Sequence, residues 1–154
     1  MKKSEILIGW QEYCALPDLN LPAIRAMVDT GAKTSALHAY NIQSFKTEGI
    51  LFVQFDIHPL QKNSHFTRTC TAKVLEERLV TSSNGEREKR YVILTPVVIG
   101  NKKINVEVTL TCRHNMTFRM LLGRDAVKQF KAIVDSRKSY LLGKIKNPED
   151  LYDL

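Results

Sequence analysis

The triplet Asp29-Thr30-Gly31 constrains this chain more than any other feature. It follows a mostly apolar run over residues 23–28, which delivers the carboxylate from a strand onto a tight turn. Gly31 lets a second stretch of backbone come close, and the small side chains of Ala32, Thr34, Ser35 and Ala36 leave room around Asp29. Far downstream, Met120-Leu121-Leu122-Gly123-Arg124-Asp125 is apolar enough to pass beneath the turn and lock it. An isolated triplet of this composition ordinarily marks a turn or a helix N-cap. Its placement at the end of a strand gives Asp29 a catalytic reading. Hydrolysis by carboxylates needs two of them sharing one proton, because like charges a few ångström apart cannot both ionise. The triplet occurs once in 154 residues, so that chemistry requires two chains.

Length and composition set the outer bounds. A chain of 154 residues with 44% hydrophobic and 25% charged residues is the size and make-up of one globular domain, here residues 1–154. The N-terminal Met1-Lys2-Lys3 is followed by an apolar run, Ile6-Leu7-Ile8, too short for a signal-peptide core, and no stretch approaches a membrane span. A cytoplasmic protein without membrane contact is expected. Cys14, Cys70 and Cys112 lack the paired spacing of a zinc site or a disulfide scaffold and read as buried, reduced thiols. The 23 Lys and Arg against 16 Asp and Glu give +7, a surface that attracts anions. The basic residues are spread and lack interleaved aromatics, which argues against a nucleic-acid binder and for a solvated face.

Most of the chain reads as strands: residues 5–10, 23–28, 50–57, 69–78, 91–99 and 104–111 are short runs, most of them rich in β-branched or aromatic residues. Ser82-Ser83-Asn84-Gly85 supplies the Asn-Gly pair of a two-residue hairpin turn, and Gly100-Asn101 supplies a second. Pro96 places its strand at an edge or at a bulge. One short helix is expected over residues 123–130, with Ala126, Val127 and Phe130 on one side, before residues 132–134 return to strand. Residues 41–49 are the candidate long loop. The pattern predicts an all-β sandwich or barrel with one short helix.

Taken together, residues 27–39, the segment Ser82-Ser83-Asn84-Gly85 and residues 119–125 resemble the bacterial retropepsin-like family often labelled ATP-dependent zinc protease. The resemblance covers nearly the whole chain. It implies a closed, strand-rich retropepsin barrel in which Asp29 is the catalytic carboxylate of a homodimer. Thr30 and Gly31 would hold the paired turns together across a twofold axis, with Ala32 and Lys33 beside them, and Ser82, Ser83, Asn84 and Gly85 would form a flap over a peptide or protein substrate. Some members are linked to ATP-grasp ligases that add glutamates to a ribosomal protein, which implies a glutamate-rich, acidic substrate and such a ligase as functional partner.

Neither half of that family label has a counterpart among the residues. There is no His-Glu-x-x-His, His38, His58, His65 and His114 are scattered, and no metal site is expected. No phosphate-cradling glycine loop is present, so no cofactor is expected and ATP dependence would come from a partner. In the retroviral pattern a carboxylate two positions after the motif glycine pairs with the Arg that follows the downstream glycine. This chain has Lys33 there and keeps Arg124. Either Asp125 bridges the two cations, or both face the cleft and select a negative side chain, or both extend to water.

The reading is a homodimeric aspartic peptidase in which the Asp29 pair activates water and then protonates the departing amine. The alternative is a non-enzymatic peptide-binding or adaptor dimer of the same fold.

Overall fold

The computed structural model describes residues 4–61, 63, 65–81, 84–112 and 117–152. Its centre is a closed ring of strands. The ring is built from β2 (Gln11–Leu16), β3 (Leu21–Asp29), β4 (Ser35–His38), β9 (Arg87–Ile99), β10 (Lys102–Thr111) and β11 (Met120–Gly123). Their order is β10-β4-β11-β3-β2-β9, and pairing of β9 with β10 closes the circle. An outer strand, β8 (Glu76–Thr81), is hydrogen-bonded to β9 and forms with it a hairpin projecting from the ring. Inside, Leu16, Ile24, Leu37, Ile93, Met120 and Leu122 are each at most 1% exposed. Closure removes the edges that an open sheet of this composition would present to solvent.

Two smaller sheets attach to the ring. β5 (Tyr40–Thr47), β6 (Ile50–Ile57) and β7 (Arg68–Lys73) form an antiparallel meander, whose Val53, Phe55 and Ile57 join the same core cluster. β1 (Ile6–Gly9) pairs in parallel with β12 (Ala132–Asp135), which follows the single helix α1 (Arg124–Gln129). α1 buries Ala126 and Val127, with Phe130 just beyond its end fully covered, as the helical spacing requires. Among the described residues no helix is long and apolar enough to cross a membrane.

Five sequence expectations change. Residues 41–47 are strand and not loop; their polar side chains hid the alternation, and only Glu48-Gly49, both with positive φ, form the turn. The expected strand over residues 69–78 is two strands in different sheets, parted at Val74-Leu75. Pro96 lies in a ring strand, between the end of the β8 pairing at Val92 and the β2 pairing at Val98, where its missing N–H costs no ladder bond on that side. The β8–β9 connection runs over five residues from Thr81 to Arg87, and only Gly85 of Asn84-Gly85 has positive φ, so it is not a two-residue turn. The Gly100-Asn101 turn is as expected. Of the three thiols, Cys112 is exposed; Cys14 and Cys70 are buried, which pushes both up to about 12.

Glu12 joins the C-terminal segment to the ring. Its carboxylate, 1% exposed, accepts N–H bonds from Gly9 (2.7 Å), Leu141 (2.8 Å) and Leu142 (3.2 Å). Removing it strands three donors, so Glu12→Ala is expected to cost about 3 kcal/mol in chemical denaturation. A loss below about 0.5 kcal/mol would show that water replaces the carboxylate.

Candidate active site

Asp29 is the last residue of β3, and β11 runs beside it in parallel, with Leu122 opposite Val28 and Gly123 opposite Asp29. On its other flank β11 pairs antiparallel with β4, Leu121 facing Ala36. The downstream apolar segment therefore passes between the strands that enter and leave the Asp29 turn. The turn is closed locally: Gly31 N–H donates to Asp29 Oδ1 (3.0 Å) and Ala32 N–H to Asp29 O (3.2 Å). It is also clamped from below. Arg124 N–H donates to Ala32 O (2.7 Å), Asp125 N–H to Lys33 O (3.0 Å) and Gly123 N–H to Ser35 Oγ (2.9 Å).

Gly123 is required by contact and not by φ. A Cβ there would stand 2.6 Å from Thr34 C and 2.8 Å from Ser35 N, both backbone atoms that cannot swing aside. Ser35 is held in turn by Thr109, whose hydroxyl donates to Ser35 O (3.2 Å) and accepts from Arg90 Nη1 (3.4 Å). Arg90 pairs with Glu88 (3.3 Å), which also accepts from Thr111 Oγ1 (3.3 Å). A polar chain, buried at Arg90, Thr109 and Ser35, thus runs from Glu88 near the loop end of the β8–β9 hairpin to the wall of the Asp29 turn.

The expected site residues fall into two groups. Asp29 and Ala32 are half-buried and Thr30, Gly31 and Lys33 are exposed on the same turn, with Arg124 exposed beside it at the start of α1. Asn84 and Gly85 are exposed at the tip of the β8–β9 hairpin, where Asn84 Oδ1 accepts from Glu86 N–H (3.1 Å); Ser82 and Ser83 lie outside the described residues. Asp125 does not bridge the cations: among the described residues it makes no ion pair with Lys33 or Arg124, and Arg124 Nη1 donates to Thr30 O (3.2 Å). Among the hairpin's basic residues, Arg90 points inward, 8% exposed, and Lys89 is paired with Glu77 (3.0 Å). Only Arg87 of these is an exposed cation outside an ion pair among the described residues.

Among the described residues no group of three or more His, Cys, Asp and Glu could hold a metal ion. His38 is buried and packs on Tyr40, which packs on His58, each pair with ring centroids 4.7 Å apart; His65 is exposed, and His114 lies outside the described residues. The hydrogen-bonding role of Ser35, together with Thr109 and the Glu88–Arg90 pair, escaped the sequence reading. The available signal was Thr109 and Thr111, two hydroxyls in a strand otherwise apolar at that end. Gly123→Ala should cost about 2–3 kcal/mol, read by thermal or urea unfolding, because the overpacked methyl meets backbone. A neutral outcome would mean that the clamp yields.

Comparison with known proteins agrees with this arrangement. Residues 7–144 match the family described as RimB-like, retropepsin-like aspartic endopeptidase RimB. A protein of Shewanella pealeana named probable alpha-L-glutamate ligase is 47% identical over 143 residues, covering 93% of this chain and 31% of that protein. A protein of the same name from Parasynechococcus marenigrum is 41% identical over 145 residues, covering 94% of this chain and 31% of that one. The chain thus spans about a third of the length of these relatives. Among solved structures, a Legionella pneumophila protein of unknown function, Lpg0085, superposes with a TM-score of 0.74 at 28% identity, covering 89% of this chain and 98% of that one.

Proposed function

This chain belongs to the RimB-like family of retropepsin-like aspartic endopeptidases, and from that premise we propose that it is a homodimeric aspartic peptidase acting on acidic, glutamate-rich protein segments. The observation that carries the reading is the Asp29 turn clamped by Gly123 while Thr30 and Gly31 stay exposed. A single chain offers one such carboxylate. Two turns meeting about a twofold axis supply the pair, with Thr30 and Gly31 as their contact surface. One Asp29, ionised, takes a proton from water as the water attacks the peptide carbonyl; the other, protonated, donates to the carbonyl oxygen, and the departing amine is protonated as the intermediate collapses. Water is activated by the carboxylates themselves, so the mechanism needs neither zinc nor ATP. The residues act as one retropepsin-like domain, with the β8–β9 hairpin closing over the substrate at Asn84-Gly85.

Substrate charge follows from the site and from the relatives. Lys33 is exposed on the Asp29 turn and Arg124 beside it at the start of α1, and the chain carries +7. The relatives named probable alpha-L-glutamate ligase contain the equivalent of this chain as one part, which fits a peptidase working on glutamate additions in partnership with such a ligase.

Asp29→Asn is expected to keep fold and dimer and to lower peptidase turnover at least about a thousandfold, since an amide cannot accept the proton that activates water. Turnover of a glutamate-rich peptide, measured with the dimer population by sedimentation, checks this; a fully active variant would exclude the mechanism. Treatment with a strong chelator should leave turnover unchanged, and a metal-restorable loss would overturn that expectation. Replacing Asn84-Gly85 by Val-Val disfavours the positive φ at Gly85 and should depress turnover more than melting temperature. Unchanged turnover would show that the hairpin is no lid.

A further inference from the structure

A groove of about 740 Å³ opens beside β2 and β3, with residues 140–149 supplying its facing wall. Tyr13 of β2 stands opposite Arg25 of β3 in the antiparallel register, so both side chains rise from one face of the sheet. Their strand neighbours Cys14, Ile24 and Ala26 are buried on the core side, whereas Tyr13 and Arg25 are half-buried and line the groove. The start of the facing wall is fixed to β2. Tyr140 N–H donates to Gln11 O (3.0 Å), its hydroxyl donates to Gln11 Oε1 (3.1 Å), and its ring stacks on Tyr13 with centroids 5.4 Å apart. The next two N–H groups, of Leu141 and Leu142, are held by Glu12. The groove is therefore formed before anything enters it.

Three cations line it, Arg25, Lys144 and Lys146, against one carboxylate, Glu149. Among the described residues none of the three cations forms an ion pair. The Arg25 guanidinium stacks on the ring of Phe118 at 4.8 Å, and Phe118 is braced edge-on by Trp10 at 5.8 Å. Its Nε is buried and has no hydrogen-bond partner. Stacking holds a guanidinium in place without using its N–H donors, which suits it to grip a carboxylate. Ile145 packs against the core cluster, and Lys144 and Lys146 stay exposed on either side of it. The Lys144 ammonium lies 5.5 Å from the centre of the Tyr140 ring. That ring is thus engaged by Tyr13 and by Lys144, so the groove offers cationic donors and not an open aromatic face for a base. A cleft lined mainly by one sign of charge concentrates ligands of the other.

We propose that this groove is an anchoring site for an acidic stretch of peptide, with Arg25 taking one side-chain carboxylate and Lys144 and Lys146 taking others. Its volume suits a short peptide segment better than a single ion. Arg25 precedes Asp29 by four residues on β3, about 13 Å along an extended strand, so one polypeptide can occupy the groove and the Asp29 turn together. This deepens the peptidase reading and rests on it for the ligand being a polypeptide; the preference for carboxylates comes from the groove's own charges. Binding energy is gathered from side chains that Asp29 never touches.

The test uses the full chain carrying Asp29→Asn, so that peptide is bound and not cut. Fluorescence polarisation compares a glutamate-rich peptide with its isosteric glutamine counterpart. The glutamate peptide should bind about tenfold or more tighter at low salt, and Lys144→Gln with Lys146→Gln should reduce that ratio to about threefold or less. Arg25→Gln should lower it as well. The two lysines are exposed, so their variant folds even where Arg25→Gln, which uncovers Phe118, does not. Adding the glutamate peptide should slow hydrogen exchange at the amides of residues 140–149. Inorganic phosphate should displace the peptide no better than chloride at equal ionic strength. An undiminished ratio in the double lysine variant, no binding of the glutamate peptide, or protection that spares residues 140–149 would overturn the site. Displacement by phosphate at lower ionic strength than chloride would overturn its assignment to carboxylates. Turnover by the protein retaining Asp29 tests the peptidase separately: cutting whose KM is indifferent to Lys144 and Lys146 refutes only the groove, and groove-dependent binding without cutting refutes only the peptidase.

Discussion

The structure depends on one close contact, the passage of Gly123 beneath the turn that carries Asp29. A carboxylate at a strand end would ordinarily belong to a mobile surface turn. Here three N–H donors of consecutive residues, Gly123, Arg124 and Asp125, fix Ser35, Ala32 and Lys33, so the turn inherits the rigidity of the ring core. The approach is possible because position 123 has no Cβ, and it is enforced because Met120 and Leu122 are buried among the ring's apolar side chains. Hydrophobic burial and carboxylate placement are thus the same event, which is how a 154-residue chain presents a functional group to better than the play of a loop.

The polar chain from Glu88 through Arg90 and Thr109 to Ser35 extends that control outward. It links the hairpin's Glu88 to the turn through the buried Arg90, Thr109 and Ser35, where hydrogen bonds are stronger and mismatches more costly than at the surface. Placing Arg90 there also removes a cation from the solvent-exposed surface of the hairpin. Overall charge and charge beside the Asp29 turn are different quantities in this protein: the +7 is spread over the whole chain, while the exposed cations beside the turn are Lys33 and Arg124.

The sequence made three ring strands, β3, β9 and β10, and the Asp29 turn legible, while β2 and β4 went unread; the legible parts carry strong local signals, an apolar run ending in Asp-Thr-Gly, a Leu-Leu-Gly segment, a glycine-containing turn at Gly100 and helical spacing at Ala126, Val127 and Phe130. It failed where strand faces are mostly polar. β5 is exposed along most of its length, so neither alternation nor hydrophobicity set it apart from a loop. It failed again at Val74-Leu75, where a continuous β-favourable run changes sheets at a corner that leaves no glycine or proline behind. The partners of Ser35 were illegible for a different reason: Thr109 meets it, and Arg90 meets Thr109, only after the ring closes.

Two Asp29 carboxylates from different chains forming one catalytic unit is the central claim, and subunit mixing tests it directly. Wild-type chains and Asp29→Asn chains are denatured together, refolded in varied proportions and assayed for turnover of a glutamate-rich peptide. If both carboxylates are needed, activity follows the square of the wild-type fraction, so an equal mixture shows about a quarter of full activity at constant total protein. Activity proportional to the wild-type fraction would mean that each chain works alone and would contradict the shared site.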